Sequence, residues 1–111
     1  AETYSKEFSI LPIGLPQADT QESISCWHQY AILCDRKEEL IKHLEENGIG
    51  AGSFYPVPLH LQKAFKALEY SEGSLTVAEE TCKKSVCLPI FPELCDEEID
   101  YVIATVRKFF E

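Results

Sequence analysis

The stretch DRKEELIKHLEENGIGAGSFYPVPLH, Asp35 to His60, joins a strong helix signal to a stiff loop. Asp35 can accept from the free amides of a first helical turn, and Glu38 stands where a capping box places its acid. Leu40, Ile41 and Leu44 recur as one apolar stripe, and Glu38 and Lys42 are four apart in the order that favours an ion pair. Gly48 can take the left-handed turn that ends such a helix. Burial of Leu40 and Leu44 would contribute about 2 kcal/mol each. The next residues, IGAGSFY (49–55), read as a short strand whose glycines allow the backbone to bend or approach another segment closely.

The loop that follows is unusually constrained. Pro56 and Pro58 fix their own φ and push Tyr55 and Val57 into extended geometry, so the segment cannot coil. Tyr55 and His60 are thereby held at the two ends of a rigid span. Each carries a polar tip on a flat apolar body, suited to a surface with one wet and one dry side. Side chains ordered in advance bind a ligand with little further loss of entropy. The competing reading is structural: a tyrosine packed on the core and a histidine bonded to nearby backbone.

Outward from this stretch, AETYSKEF (1–8) is composed of helix formers and reads as the end of a helix. LPIGLPQADTQES (11–23) is a loop by its prolines, glycine and polar residues. SCWHQYAIL (25–33) fits a strand, with Trp27, Gln29 and Ala31 on one face and His28, Tyr30 and Ile32 on the other. LQKAFKALEY (61–70) predicts a short amphipathic helix with Leu61, Phe65 and Leu68 inward. TVAEETCKKSV (76–86) predicts another, with Thr76 and Glu79 in capping-box spacing. CLPIFPEL (87–94) is a brief strand stopped by Pro89 and Pro92. DEEIDYVIATVRKFF (96–110) closes the chain as a helix, its acids in the first turn and Arg107 and Lys108 in the last, both favourable to the helix dipole. Ile99, Val102, Ile103, Val106 and Phe110 form its apolar face. This order predicts an α/β (α+β) fold: a small sheet of about three strands with helices packed mainly on one face.

The 111 residues suffice for one core. A formal net charge of −9 disfavours nucleic acid and anionic membrane, whose phosphates are bound by lysine and arginine. No apolar run reaches the length of a membrane span, and the N-terminus lacks a basic region followed by an apolar one. The chain contains no Met, which suggests a processed chain or an excised piece. The cysteines at 26, 34, 82, 87 and 95 have no C-x-x-C spacing. Cys26, Cys34, Cys82 and Cys87 read as buried free thiols, and a reducing compartment, the cytoplasm, follows. His28, His43 and His60 show no ligand spacing, so no metal site is expected. No P-loop, G-x-G-x-x-G or G-x-S-x-G is present.

Taken together, the segments resemble the C-terminal small domain of the DegT/DnrJ/EryC1/StrS family of pyridoxal-phosphate-dependent nucleotide-sugar aminotransferases. AETYSKEF is similar to the helix leading out of that family's large domain, and WHQYAIL to the first small-domain strand. RKEELIKHLEENGIGAGSFYPVPLH resembles its helix, GI turn and YP-x-PLH loop. VAEETCKKSVCLPIFPEL and DEEIDYVIATVRKFF resemble the closing helix, strand and helix. Each piece is weak alone; their order and spacing together are specific.

The resemblance implies the small domain of a fold type I aminotransferase, with residues 1–8 the tail of the linking helix, 9–25 a loop and 26–111 the domain core. The large cofactor domain would lie outside this chain. It further implies transfer of an amino group from glutamate to a nucleotide-diphosphate keto-sugar, in cell-surface polysaccharide or deoxyamino-sugar biosynthesis. Pyridoxal 5'-phosphate would be the cofactor and a homodimer the working form, with neither nucleic acid nor membrane as partner. Tyr55 and His60 would be substrate-binding; Phe54 stands where many relatives carry histidine.

No catalytic residue is expected here. The cofactor's imine-forming lysine and the acid at its pyridine nitrogen belong to the large domain in this family. Lys6, Lys37, Lys42, Lys63, Lys66, Lys83, Lys84 and Lys108 lie in polar helical contexts and read as solvated, not as pocket lysines of lowered pKa. The piece alone is therefore expected to be inactive. Two non-catalytic alternatives remain: a stand-alone binding module and an oligomerisation module.

Overall fold

A computed structural model describes residues 1–17 and 20–111. The predicted loop at 11–23 includes Ala18 and Asp19, which lie outside the described residues. Helix α1 spans Glu2–Phe8, strand β1 Tyr30–Leu33 and helix α2 Lys37–Glu46. Two 3-10 segments, Leu59–Leu61 and Lys63–Leu68, precede helix α3 (Thr76–Lys84), strand β2 (Ser85–Leu88) and helix α4 (Asp96–Phe109).

β1 and β2 pair antiparallel, with Tyr30 opposite Leu88 and Ile32 opposite Val86. These four side chains are buried on one face together with Tyr4 and Phe8 of α1, Leu40 and Leu44 of α2, and Val102, Ile103 and Val106 of α4. The fold is thus the expected mix of helices with a small sheet, but among the described residues the sheet has two strands rather than about three. The segment predicted as a strand at 49–55 contributes a single bridge, Gly52 to Cys87, on the open edge of β2. On the opposite edge Gly14 and Leu33 exchange backbone bonds of 2.8 Å. A Cβ on Gly14 would stand 3.1 Å from the Leu33 Cβ, so a side chain here would require Leu33 to give way by a few tenths of an ångström.

β1 also begins later than predicted. Trp27 has φ +48°, outside any strand, so it cannot alternate with Ala31. Its ring instead packs 5.7 Å from that of Tyr30. α1 is tied down by the Tyr4 hydroxyl, which donates to the Pro89 carbonyl at 3.1 Å; burial pushes that phenol's pKa up to about 12.

α2 forms with Leu40 and Leu44 fully buried, but its predicted N-terminal cap does not. The cap position is Arg36, without a side-chain capping bond; its guanidinium reaches Glu39. Asp35 is drawn instead to Lys84 at the end of α3, 2.8 Å away. The C-terminus follows the expectation closely. Gly48 has φ +73°, the Gly48 amide donates to Glu45 O at 3.0 Å, and the Ile49 amide donates to Leu44 O at 2.9 Å. This is the paired-bond closure that a left-handed residue permits. α4 buries Val102, Ile103, Thr105 and Val106, with Ile99 and Phe110 partly buried against the same core. Its N-terminus carries a capping box between Cys95 and Glu98.

The predicted helix at 61–70 is the largest departure. Gln62 is extended (ψ 145°) and splits it into the two 3-10 segments. Leu61, Phe65 and Leu68 are exposed by 36%, 39% and 60%, so none of them points into the core. Of the cysteines expected inside, Cys34 and Cys87 are buried and Cys82 partly so, whereas Cys26 is exposed. Among the described residues no helix is long and apolar enough to cross a membrane.

Candidate functional site

The segment Ser53–His60 leaves the sheet edge at Gly52 and runs alongside α3. A cavity of about 430 Å³ lies against Pro56, Val57 and Lys63, and two larger open ones flank the segment. One, of about 670 Å³, is lined by His28, Gln29, Gly52, Cys87, Phe54 and Tyr55 among others. The other, of about 610 Å³, is lined chiefly by apolar groups, among them Val57, Leu59, Phe65 and Leu68, and again by Phe54 and Tyr55. The two aromatic rings meet edge to face, centroids 6.4 Å apart, and stand as a partition between a mixed polar space and an apolar one. Tyr55 is 66% exposed. Its ring therefore offers an apolar side and a hydroxyl to whatever enters either cavity.

His60 lines the apolar cavity but is 92% withdrawn from solvent, being 8% exposed. Its Nε2 lies 3.0 Å from Glu79 Oε1, and its ring meets Tyr70 edge-on at 6.0 Å. Glu79 is buried too and collects further donors: the Gly73 amide at 2.9 Å and the Leu75 amide at 3.2 Å. The Gly73 amide above all, with the His60 imidazole and the Leu75 amide, holds the Glu79 carboxyl below the usual carboxylate range, against the opposing effect of burial. The capping box expected between Thr76 and Glu79 is therefore absent. α3 starts after Leu75, and Glu79 serves the preceding turn and the loop histidine.

The structure thus brings Tyr55 and His60 to one cavity wall, Tyr55 presenting its ring and His60 committed to the scaffold behind it. It also reveals a residue that the sequence reading placed in solvent. Lys37 is 7% exposed, and its Nζ donates to Ser53 Oγ at 2.9 Å and to the Cys82 carbonyl at 2.8 Å. Nothing in its local context, an Arg-Lys-Glu-Glu run at a helix start, marks it as buried. Its burial depends on the loop and α3 folding over it.

Pyridoxal phosphate requires an imine-forming lysine. Neither of the two larger cavities is lined by a lysine, and the one buried ammonium among the described residues is committed to Ser53 and Cys82. Neither of these two cavities therefore offers the lysine that the cofactor needs. Together they form an open, two-sided cleft with Phe54 and Tyr55 between its sides.

That architecture has close counterparts. Residues 1–107 match the DegT/DnrJ/EryC1/StrS aminotransferase family, and the chain belongs to it. A Geobacillus stearothermophilus protein named "Pleiotropic regulatory protein" is 43% identical over 84 residues, 76% of this chain and 23% of that one. The dTDP-3-amino-3,4,6-trideoxy-alpha-D-glucose transaminase of Streptomyces venezuelae is 36% identical over 101 residues, 91% of this chain and 25% of its own. Among solved structures, S. venezuelae DesV in complex with a ketimine intermediate superposes with a TM-score of 0.93 at 35% identity, over 99% of this chain and 30% of that one. Spr1654 of Streptococcus pneumoniae in its PLP form superposes with a TM-score of 0.81 at 25% identity, over 96% of this chain and 28% of its own. The chain spans about a quarter of the length of the curated relatives it matches.

Proposed function

We propose that this chain acts as the C-terminal small domain, residues 1–111, of a pyridoxal-phosphate-dependent aminotransferase. The full-length enzyme transfers an amino group from glutamate to a nucleotide-linked keto-sugar, as a homodimer, for surface polysaccharide or deoxyamino-sugar synthesis. The small domain supplies part of the substrate wall. Tyr55 contacts the sugar nucleotide, and His60 holds the loop on which Tyr55 stands. The observation that carries this reading is the family match over residues 1–107 combined with the Phe54–Tyr55 partition standing in two cavities at once. The cofactor and its imine lysine belong to the remainder of the enzyme, so the 111-residue chain alone is inactive.

The test is direct. The full-length polypeptide is incubated with glutamate and a panel of dTDP- and UDP-linked keto-sugars, and amino-sugar formation is followed together with the cofactor's absorbance. The 111-residue chain is assayed in parallel and treated with borohydride in the presence of pyridoxal phosphate. Amino-sugar formation by the long chain alone supports the proposal. Stoichiometric trapping at one lysine of the short chain, with glutamate turnover, would falsify it.

A further inference from the structure

Lys37 occupies a costly position. It is the first residue of α2, at the positive end of the helix dipole, where a cation is unfavourable. Its ammonium is buried, which costs free energy unless hydrogen bonds replace the lost water. No ion pair to it forms among the described residues. The acceptors it has are a hydroxyl and a carbonyl, from segments 16 and 45 residues away. The carbonyl, that of Cys82, lies in the last turn of α3, where carbonyls lack intrahelical partners and a cation is welcome. The hydroxyl, that of Ser53, belongs to the residue immediately before Phe54 and Tyr55.

One ammonium therefore joins the start of α2, the end of α3 and the root of the loop. At the loop's other end, His60 and Glu79 make the second buried polar tie, to the first turns of α3. The segment between is held at both ends, by ties to Cys82 and Glu79 of α3. Solvent would satisfy a lysine on the outside of α2 equally well; a buried one serves the geometry of what it binds.

We propose that Lys37 is a positioning residue for the substrate wall: through Ser53 it sets where Phe54 and Tyr55 stand relative to α3. The kinetic part of this claim rests on the proposed contact between Tyr55 and the sugar nucleotide, whereas the structural part does not.

The experiment uses the full-length polypeptide with Lys37→Met, Lys37→Arg, Ser53→Ala, Tyr55→Ala and the double variant Lys37→Met/Tyr55→Ala. Amide hydrogen exchange is read over residues 53–60, and kcat and KM with a dTDP-linked 3-keto-6-deoxyhexose and with glutamate. Lys37→Met and Ser53→Ala are expected to speed exchange across 53–60 and to raise the sugar-nucleotide KM by about tenfold, with the glutamate KM unchanged. Lys37→Arg, which can still donate to both acceptors, is expected to restore the KM to within about threefold. The double variant should be no worse than Tyr55→Ala alone, because Lys37 acts through that ring.

Faster exchange confined to the end of α3, with 53–60 unchanged, overturns the proposal and leaves Lys37 as a helix cap. Full additivity of the double variant overturns it as well. Should Tyr55→Ala leave the sugar KM untouched, or no sugar turn over, the substrate reading fails, and exchange over 53–60 alone decides the role of Lys37. Should Lys37→Met not fold, Ser53→Ala decides: loosening of 53–60 supports positioning, and an unchanged loop overturns it.

Discussion

His60, read from the sequence as a substrate contact, lines a cavity and at the same time is tied to the scaffold through Glu79. Its imidazole is buried against Glu79, so His60→Ala strands a carboxylate that has lost a donor. We expect His60→Ala to lower the melting temperature by about 5 °C, read by thermal denaturation, and His60→Gln to recover part of that loss. A kinetic defect with an unchanged melting temperature would instead make His60 a direct substrate contact. Gly48 behaves as its sequence position suggests. A Cβ there meets nothing within 4 Å, so the cost of Gly48→Ala is purely that of the left-handed backbone, about 1 kcal/mol. Gly48→Asn should cost less, because asparagine tolerates that conformation, and denaturant titration of the two variants checks the order. The glycine was legible because a positive φ is a local demand. Lys37 was not, since its burial is made by residues far away in sequence.

At the scale of elements, the start of α3 depends on a single carboxylate. Glu79 holds the Gly73 and Leu75 amides and the His60 ring, and its pKa is depressed in the folded chain. A depressed carboxyl stabilises the fold fully above its ordinary pKa, about 4.5, and loses that contribution as pH falls through its lower folded value. Acid titration of stability should therefore be shallower below pH 4.5 in Glu79→Gln than in the parent, by circular dichroism; parallel curves would show that the carboxylate is not what holds this turn. α2 and α4 were readable because their apolar stripes repeat at the helical period. Leu44→Ala, in a fully buried position, should cost about 2–5 kcal/mol in chemical denaturation. The segment at 61–70 shows the same periodicity and the opposite outcome. Its apolar residues face outward, and the helix breaks into 3-10 turns at Gln62.

For the molecule as a whole, that outward face is the largest consequence. Phe54, Tyr55, Val57, Leu59, Phe65, Leu68, Tyr70, Leu75 and Val77 all stand between 39% and 81% exposed, all within one span of sequence. Isolated apolar groups on a surface are ordinary, but a concentration of them is the usual mark of an interaction surface. The 111-residue chain should therefore associate as concentration rises despite its net charge of −9, and Phe65→Lys with Leu68→Lys should suppress this in light scattering. A chain that stays monomeric throughout would show that the patch is too dispersed to drive contact.

The helices α2 and α4 and the turn at Gly48 were determined by the sequence itself, because each rests on a local rule: side-chain period or a permitted φ. The order of those segments also carried the family. Only the tertiary structure decided that the third strand shrinks to one bridge at Gly52, that Asp35 leaves its cap for Lys84, and that Lys37 and His60 are buried while Phe65 and Leu68 are not. Those outcomes depend on which distant groups come to lie beside each residue. Burial is a property of the completed packing, and a lysine or a leucine does not reveal from its neighbours in sequence which side of that packing it will occupy.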